Sequence, residues 1–218
     1  MNTQEQARFN MVEQQIRPWQ VLDKAVLNVL SHTPRELFVP PAYQALTYTD
    51  TDIPLGHGQS MVPPRVDARL MHDLQLTGNE KVLEIGTGSG YLTALLASRA
   101  QRVVSLEVNP ELAAIARGNL QRAGITNVDV RVADGSAGAA GDAPFDAIAL
   151  GGSVSEVPQA LLQQLKVGGH LIAIVGQDHV MVATLYTRTS DAAWSSKALW
   201  DTSAPRLQGF TEPTRFHF

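Results

Sequence analysis

Cysteine is absent from the 218-residue chain. Its absence excludes disulfides, thiolate nucleophiles and zinc–thiolate sites, and it fits a reducing compartment. Runs of lysine and arginine are missing as well. The net charge is −4 and no basic cluster of the kind that neutralises phosphates occurs, so no nucleic-acid partner is expected. No apolar run is long enough to span a bilayer, no secretory apolar region opens the chain, and a cytoplasmic location without membrane contact is expected. Histidines at 32, 72, 170, 179 and 217 share no ligand spacing, so no metal is assigned. Neither an internal repeat nor a long low-complexity linker is found. A chain of this length and composition is expected to form one α/β unit with a sizeable core, and monomer and dimer both stay open.

What is present is an alternation of short apolar runs with helical periodicity. Residues 1–76 read as a helical N-terminal cap with a loop, carrying Val21, Leu22, Ala25, Val26, Val29 and Leu30 at helical spacing. Residues 77–218 read as the core. Strands are expected at 81–85, 102–107, 128–132, 145–150 and 170–175, with helices at 91–99, 110–123 and 158–165. That order predicts a doubly wound, Rossmann-like parallel sheet. The β-rich runs 180–187 and 194–200 are expected to close it as a C-terminal hairpin. Trp194, Trp200, Phe210, Phe216 and Phe218 read as area for core packing or a subunit contact.

The segment Lys81–Gly90 leads a buried strand into glycines at 86, 88 and 90 and then into an apolar helix. Glycine lets backbone approach a ligand closely, and a helix start supplies free N–H groups. A dinucleotide loop needs G-x-G-x-x-G, and its third glycine position holds Tyr91. Glu84, two residues before the first glycine, would repel a pyrophosphate and suits a cationic ligand end. S-adenosylmethionine (SAM) has such an end. Glu107, closing the next strand, suits the ribose hydroxyls, and Asp134-Gly135, closing the third, suits the adenine amino group. The expected cofactor site is therefore Glu84, Gly86, Thr87, Gly88, Gly90, Glu107, Val108, Asp134 and Gly135, with Met61 from the preceding loop. A class I SAM-dependent methyltransferase sheet is the fold this describes.

Residues 48–64 contain too many breakers for regular structure and are expected to form a shaped loop, anchored where Pro63 and Pro64 open a helix.

Several segments resemble the protein-L-isoaspartate O-methyltransferase family: Thr33–Pro40, then Tyr48, Asp50, Pro54 and Gly56–Gln59, then Val82–Thr93. The similarity continues through Asp134-Gly135, Phe145–Ile148, Val157-Pro158 and Leu165–Gly176. It implies transfer of the SAM methyl to the α-carboxylate of isoaspartyl residues in damaged proteins, leaving S-adenosylhomocysteine. On this resemblance the reacting loop contains Gln59, Ser60 and Val62. Val62 stands where the family has an active-site serine, Arg65 where a histidine is usual, and Gly151–Glu156 replaces a small, Ala-rich stretch bordering the peptide site. Arg65 can bind a carboxylate or be a solvated first-turn residue, and His57 can be a donor or a plain turn residue. These departures leave two other readings beside isoaspartyl transfer: a methyltransferase for another acceptor, and a SAM-binding protein without catalysis.

Overall fold

The structure, a computed structural model, describes residues 3–177 and 180–212. His179, Phe216, His217 and Phe218 lie outside the described residues. Helix α1 (Thr3–Met11) runs on through a wider π-turn (Val12–Ile16) into a tight turn (Arg17–Trp19) that contains Pro18. Helix α2 (Lys24–His32) starts at Asp23, whose carboxylate accepts from the N–H groups of Ala25 and Val26 at 2.7 and 3.3 Å. Two short 3₁₀ helices (Arg35–Leu37 and Pro41–Leu46) follow.

Next comes a two-stranded hairpin, β1 (Ile53–Gly56) and β2 (Gln59–Met61). This corrects the expectation of irregular structure over 48–64. The breakers form the turn between two strands, where Gly56, His57 and Gly58 all take positive φ (84, 54 and 72°). Glycine meets that demand without strain on both sides of His57. Helix α3 (Pro64–Leu74) then opens with Pro64, whose fixed φ suits a first turn.

The core alternates β3 (Lys81–Ile85), α4 (Tyr91–Ala97), β4 (Arg102–Glu107), α5 (Pro110–Arg122), β5 (Val128–Val132), β6 (Phe145–Val154), α6 (Gln159–Gln163), β7 (Leu165–Gln177), β8 (Val180–Ser190) and β9 (Ala193–Thr202). One seven-stranded sheet holds them in the order β5-β4-β3-β6-β7-β8-β9. The first five strands are parallel, and β8 and β9 are antiparallel additions. Winding outward from β3 to β5 and then returning to β6 creates a switch point between β3 and β6, where the strand ends of such a sheet open a ligand crevice.

Two strands run longer than their apolar cores. β6 reaches Val154 because Ser153 exchanges backbone bonds with the C-terminal segment: Ser153 N–H donates to Pro205 (2.8 Å) and Leu207 N–H to Ser153 (2.9 Å). β7 is drawn out to Gln177 by its pairing with β8, from His170–Thr187 to Gln177–Val180.

The 1–76 and 77–218 segments share their packing. One apolar cluster joins Met11, Ile16, Leu30 and Phe38 to Tyr91, Leu95 and Leu120, so the cap and the core helices bury one another. Trp200 closes the edge, donating from Nε1 to Asp73 at 2.7 Å and meeting Trp19 edge to face at 6.5 Å. Among the described residues no helix is long and apolar enough to cross a membrane.

Candidate cofactor and acceptor site

A cavity of about 780 Å³, its solvent-filled mouth included, opens at the switch point, where a sheet of this topology places its ligand crevice. Its floor is the turn after β3: Gly86, Thr87 and Gly88. Gly86 and Gly88 take φ of 89 and 54°. A Cβ on Gly151, from the neighbouring strand, would sit 2.6 Å from the Gly86 carbonyl oxygen. Backbone here approaches backbone and leaves the cavity open, the arrangement a bound cofactor needs.

Glu107 sits in the wall where it was expected. The carboxylate is 5% exposed; Oε2 accepts from Gly88 N–H (2.9 Å) and Oε1 from Asn109 N–H (3.0 Å). These bonds fix its orientation, and each oxygen keeps a lone pair for a ribose hydroxyl. Val108, Gly135, Thr87, Gln59, Ser60, Met61 and Val62 also line the cavity. Thr87 Oγ1 is held by Ser105 Oγ at 2.5 Å.

Three expected cofactor residues are placed elsewhere. Glu84 is fully buried behind the glycine turn and points away from the cavity, Oε2 accepting from Thr93 (2.5 Å) and Ser105 (2.6 Å). Burial pushes its carboxyl up to about 8, so at neutral pH it is mostly protonated and is no counter-charge for a cation. Gly90 is not in the wall: it caps α4 at φ 86°, and a Cβ there would meet Leu120 at 3.3 Å and Ala116 at 3.4 Å on α5. Asp134 is exposed and caps the turn after β5, accepting from Ser136 N–H at 2.9 Å, with Gly209 packed against its carboxylate.

His57 and Arg65 are also outside the cavity wall. His57 faces Glu111 at 3.2 Å. Arg65 binds both oxygens of Asp50 through Nε (2.7 and 2.9 Å) and lies over the Trp19 ring at 3.9 Å, a tether between α3 and the segment before β1.

The acceptor side is organised by residues to which no site role was assigned. Arg35 is fully buried; its Nη1 donates to Asp67 Oδ2 (2.9 Å) and its Nη2 to the Val62 carbonyl (2.8 Å). It also stacks over Tyr91 at 4.6 Å. One guanidinium thus fixes the loop–helix junction to the cofactor side. Asp67 lines the cavity, and burial, opposed by Arg35, leaves its carboxyl raised to about 6. A signal existed for Asp67: Leu70, Met71 and Leu74 follow it at three, four and seven residues, so an acid stands on the apolar face of α3.

The C-terminal segment is the larger surprise. Pro205, Leu207 and Gln208 line the cavity, and Gln59 Nε2 reaches the Arg206 carbonyl at 3.5 Å. The expectation that residues after 188 only pack is corrected here. Trp194, by contrast, does pack, donating from Nε1 to the Leu162 carbonyl at 2.9 Å.

A parallel sheet with a glycine turn after its central strand, an acid ending the next strand and a substrate loop across the cavity define a class I SAM-dependent methyltransferase. Residues 6–203 match the family model for protein-L-isoaspartate(D-aspartate) O-methyltransferase (PCMT). The chain belongs to that family. It is 43% identical to protein-L-isoaspartate O-methyltransferase 2 of Marinobacter nauticus over 203 residues, 93% of each chain. It is 45% identical to the protein-L-isoaspartate O-methyltransferase of Methanoculleus marisnigri over 169 residues, 78% of this chain and 77% of that one. A solved protein-L-isoaspartate O-methyltransferase matches with a TM-score of 0.82 at 26% identity, over 93% of this chain and 66% of the other. A Plasmodium falciparum protein crystallised with S-adenosyl-L-homocysteine matches at TM-score 0.77 over 95% of this chain and 99% of that one; at 22% identity the likeness shows the fold.

Proposed function

We propose that this chain transfers the methyl of SAM to the α-carboxylate of L-isoaspartyl residues in damaged proteins, in the cytoplasm, with Gln59–Val62 handling the acceptor. The observation that carries the reading is one cavity walled by the Gly86–Gly88 turn and Glu107 together with that loop.

Bound SAM supplies an electrophilic methyl on sulfur. The acceptor carboxylate, with an ordinary pKa of about 4, is ionised at neutral pH, so no general base is needed. What remains is alignment and exclusion of water. Glu107 takes the ribose hydroxyls, and the Gly86–Gly88 turn gives the close backbone approach. Ser60 and the side-chain amide of Gln59 supply donors for the acceptor oxygens. Val62 contributes a buried apolar wall in the place of a hydroxyl, and its carbonyl, held by Arg35, sets the loop's position. Pro205 and Leu207 cover the cavity from the other side and keep water out.

The test is incubation with methyl-labelled SAM and an isoaspartyl peptide beside its aspartyl counterpart. Base-labile label on the isoaspartyl peptide alone is expected; equal label on both, or none, contradicts the reading.

A further inference from the structure

The hairpin that carries Gln59 and Ser60 does little to hold itself in place. Strands β1 and β2 are four and three residues long and pair at Ile53–Met61, Pro54–Ser60 and Gly56–Gln59, with a break in register after Pro54. Pro54, opposite Ser60, has no N–H to give to the ladder. A lone pair of such short strands is marginal in water, so contacts outside the hairpin decide where Ser60 stands. At the exit of the hairpin the Val62 carbonyl is held by Arg35. At its tip the pair of His57 with Glu111 is open to solvent and contributes little.

A second anchor lies at the entrance. Asp50 precedes β1, and both its oxygens accept from Nε of Arg65, which stands in the first turn of α3 just past β2. One contact thus ties together the two ends of the segment that contains the hairpin. The Arg65 guanidinium rests over the ring of Trp19, and that ring is fixed independently of the hairpin. The Trp19 carbonyl accepts from Arg69 Nη1 at 2.7 Å, and its ring meets Trp200 of β9, which is itself pinned to Asp73.

We infer that Arg65 is a positioning residue for the methyl acceptor: resting on Trp19, it holds Asp50 and so sets the hairpin where Ser60 meets the acceptor. The inference rests on the methyl-transfer reading above. Ser60 then stands between two guanidinium anchors, Arg35 through Val62 and Arg65 through Asp50 and the Pro54–Ser60 pairing. Arg65 is not in the cavity wall, so it acts through the hairpin and not on the acceptor itself. Its planar, forked head suits both the ring and the carboxylate; a lysine carries the same charge without that shape. The Arg65 and Asp50 side chains are 20% and 43% exposed, so removing the pair strands no buried charge and leaves the fold standing.

The test is steady-state kinetics on an isoaspartyl peptide, with titration calorimetry for SAM, on Asp50→Asn, Arg65→Gln, Arg65→Lys and the double variant of Asp50→Asn with Arg65→Gln. Each single variant should lose roughly three- to tenfold in kcat/KM, the size of a partly exposed ion pair with a stacked cation, while SAM affinity changes by less than about twofold. The double variant should lose no more than the weaker of its two singles, because both remove one contact. Arg65→Lys should lose nearly as much as Arg65→Gln; wild-type activity there would show that charge alone is needed and would overturn the inference. Losses that multiply in the double variant, or a loss of SAM affinity as large as that in kcat/KM, would overturn it too. If the Arg65 variants do not fold, Asp50→Asn decides: unchanged kcat/KM overturns the inference. Wild type that methylates no isoaspartyl peptide would refute the methyl-transfer reading itself, and the inference with it.

Discussion

Arg35 Nη1 stands 2.9 Å from Asp67 Oδ2, and both residues are withdrawn from solvent, Arg35 completely. The same guanidinium holds the Val62 carbonyl, so a motif far from the glycine turn in sequence sets the position of the acceptor loop. Arg35→Met leaves a buried carboxylate without its partner, a change that typically costs about 3–5 kcal/mol. Chemical denaturation should show a loss of that order. The paired exchange Arg35→Met with Asp67→Leu should recover most of it, because no buried charge is then stranded.

Glu84 makes stability depend on pH. Its folded-state carboxyl is raised from 4.5 to about 8 by burial. Between those values the folded protein binds more protons than the unfolded chain, so stability falls as the pH rises through that window. Glu84→Gln keeps an acceptor for Thr93 and Ser105 and removes the titration. Unfolding free energies measured from pH 5 to 8 should decline more steeply for wild type than for the variant, and parallel curves would count against the buried acid.

Glu107 already spends one oxygen on Gly88 N–H and the other on Asn109 N–H. Glu107→Ala should weaken SAM binding roughly ten- to a hundredfold, the worth of about 1.5–3 kcal/mol for bonds to an ionised group. Titration calorimetry reads this directly. Undiminished affinity would contradict the ribose role.

Val62 is 4% exposed, with Val66 and Leu70 in the same apolar cluster. Val62→Ser places a hydroxyl at the acceptor side, and a hydrogen bond to an ionised acceptor is worth about 1.5–3 kcal/mol, so kcat/KM on an isoaspartyl peptide should rise by roughly one to two powers of ten. Some stability should be lost with the buried methyls, by about 1 kcal/mol. Unchanged or lower kcat/KM would show that the loop backbone and Ser60 already do what the hydroxyl would.

The sheet was legible because β3 and β4 are short, buried and mostly apolar runs that stop at a glycine or an acid, while the edge strand β5 alternates valines with Asp129 and Arg131; all three begin and end where those patterns do. The residues at the turn were legible for the same reason: a glycine's position in the chain fixes where backbone can approach a ligand. Side-chain direction was not. Glu84 and Glu107 both occupy strand ends, yet one faces the interior and the other the cavity, a difference set by Thr93 and Ser105 on neighbouring elements. The covering segment around Leu207 was illegible too, since Ser203–Gly209 has no period and is held by scattered bonds to distant parts of the chain: backbone and Oγ bonds with Ser153, and Arg206 Nη1 to the Gly176 carbonyl at 2.9 Å.

The most direct test of the whole account is competition between two peptides of one sequence, isoaspartyl and aspartyl, supplied in equal amounts with SAM and followed by mass as methyl is added. The account predicts a methyl ester on the isoaspartyl peptide and the aspartyl peptide unchanged. Methylation of both alike, or of neither while SAM is bound, would contradict it.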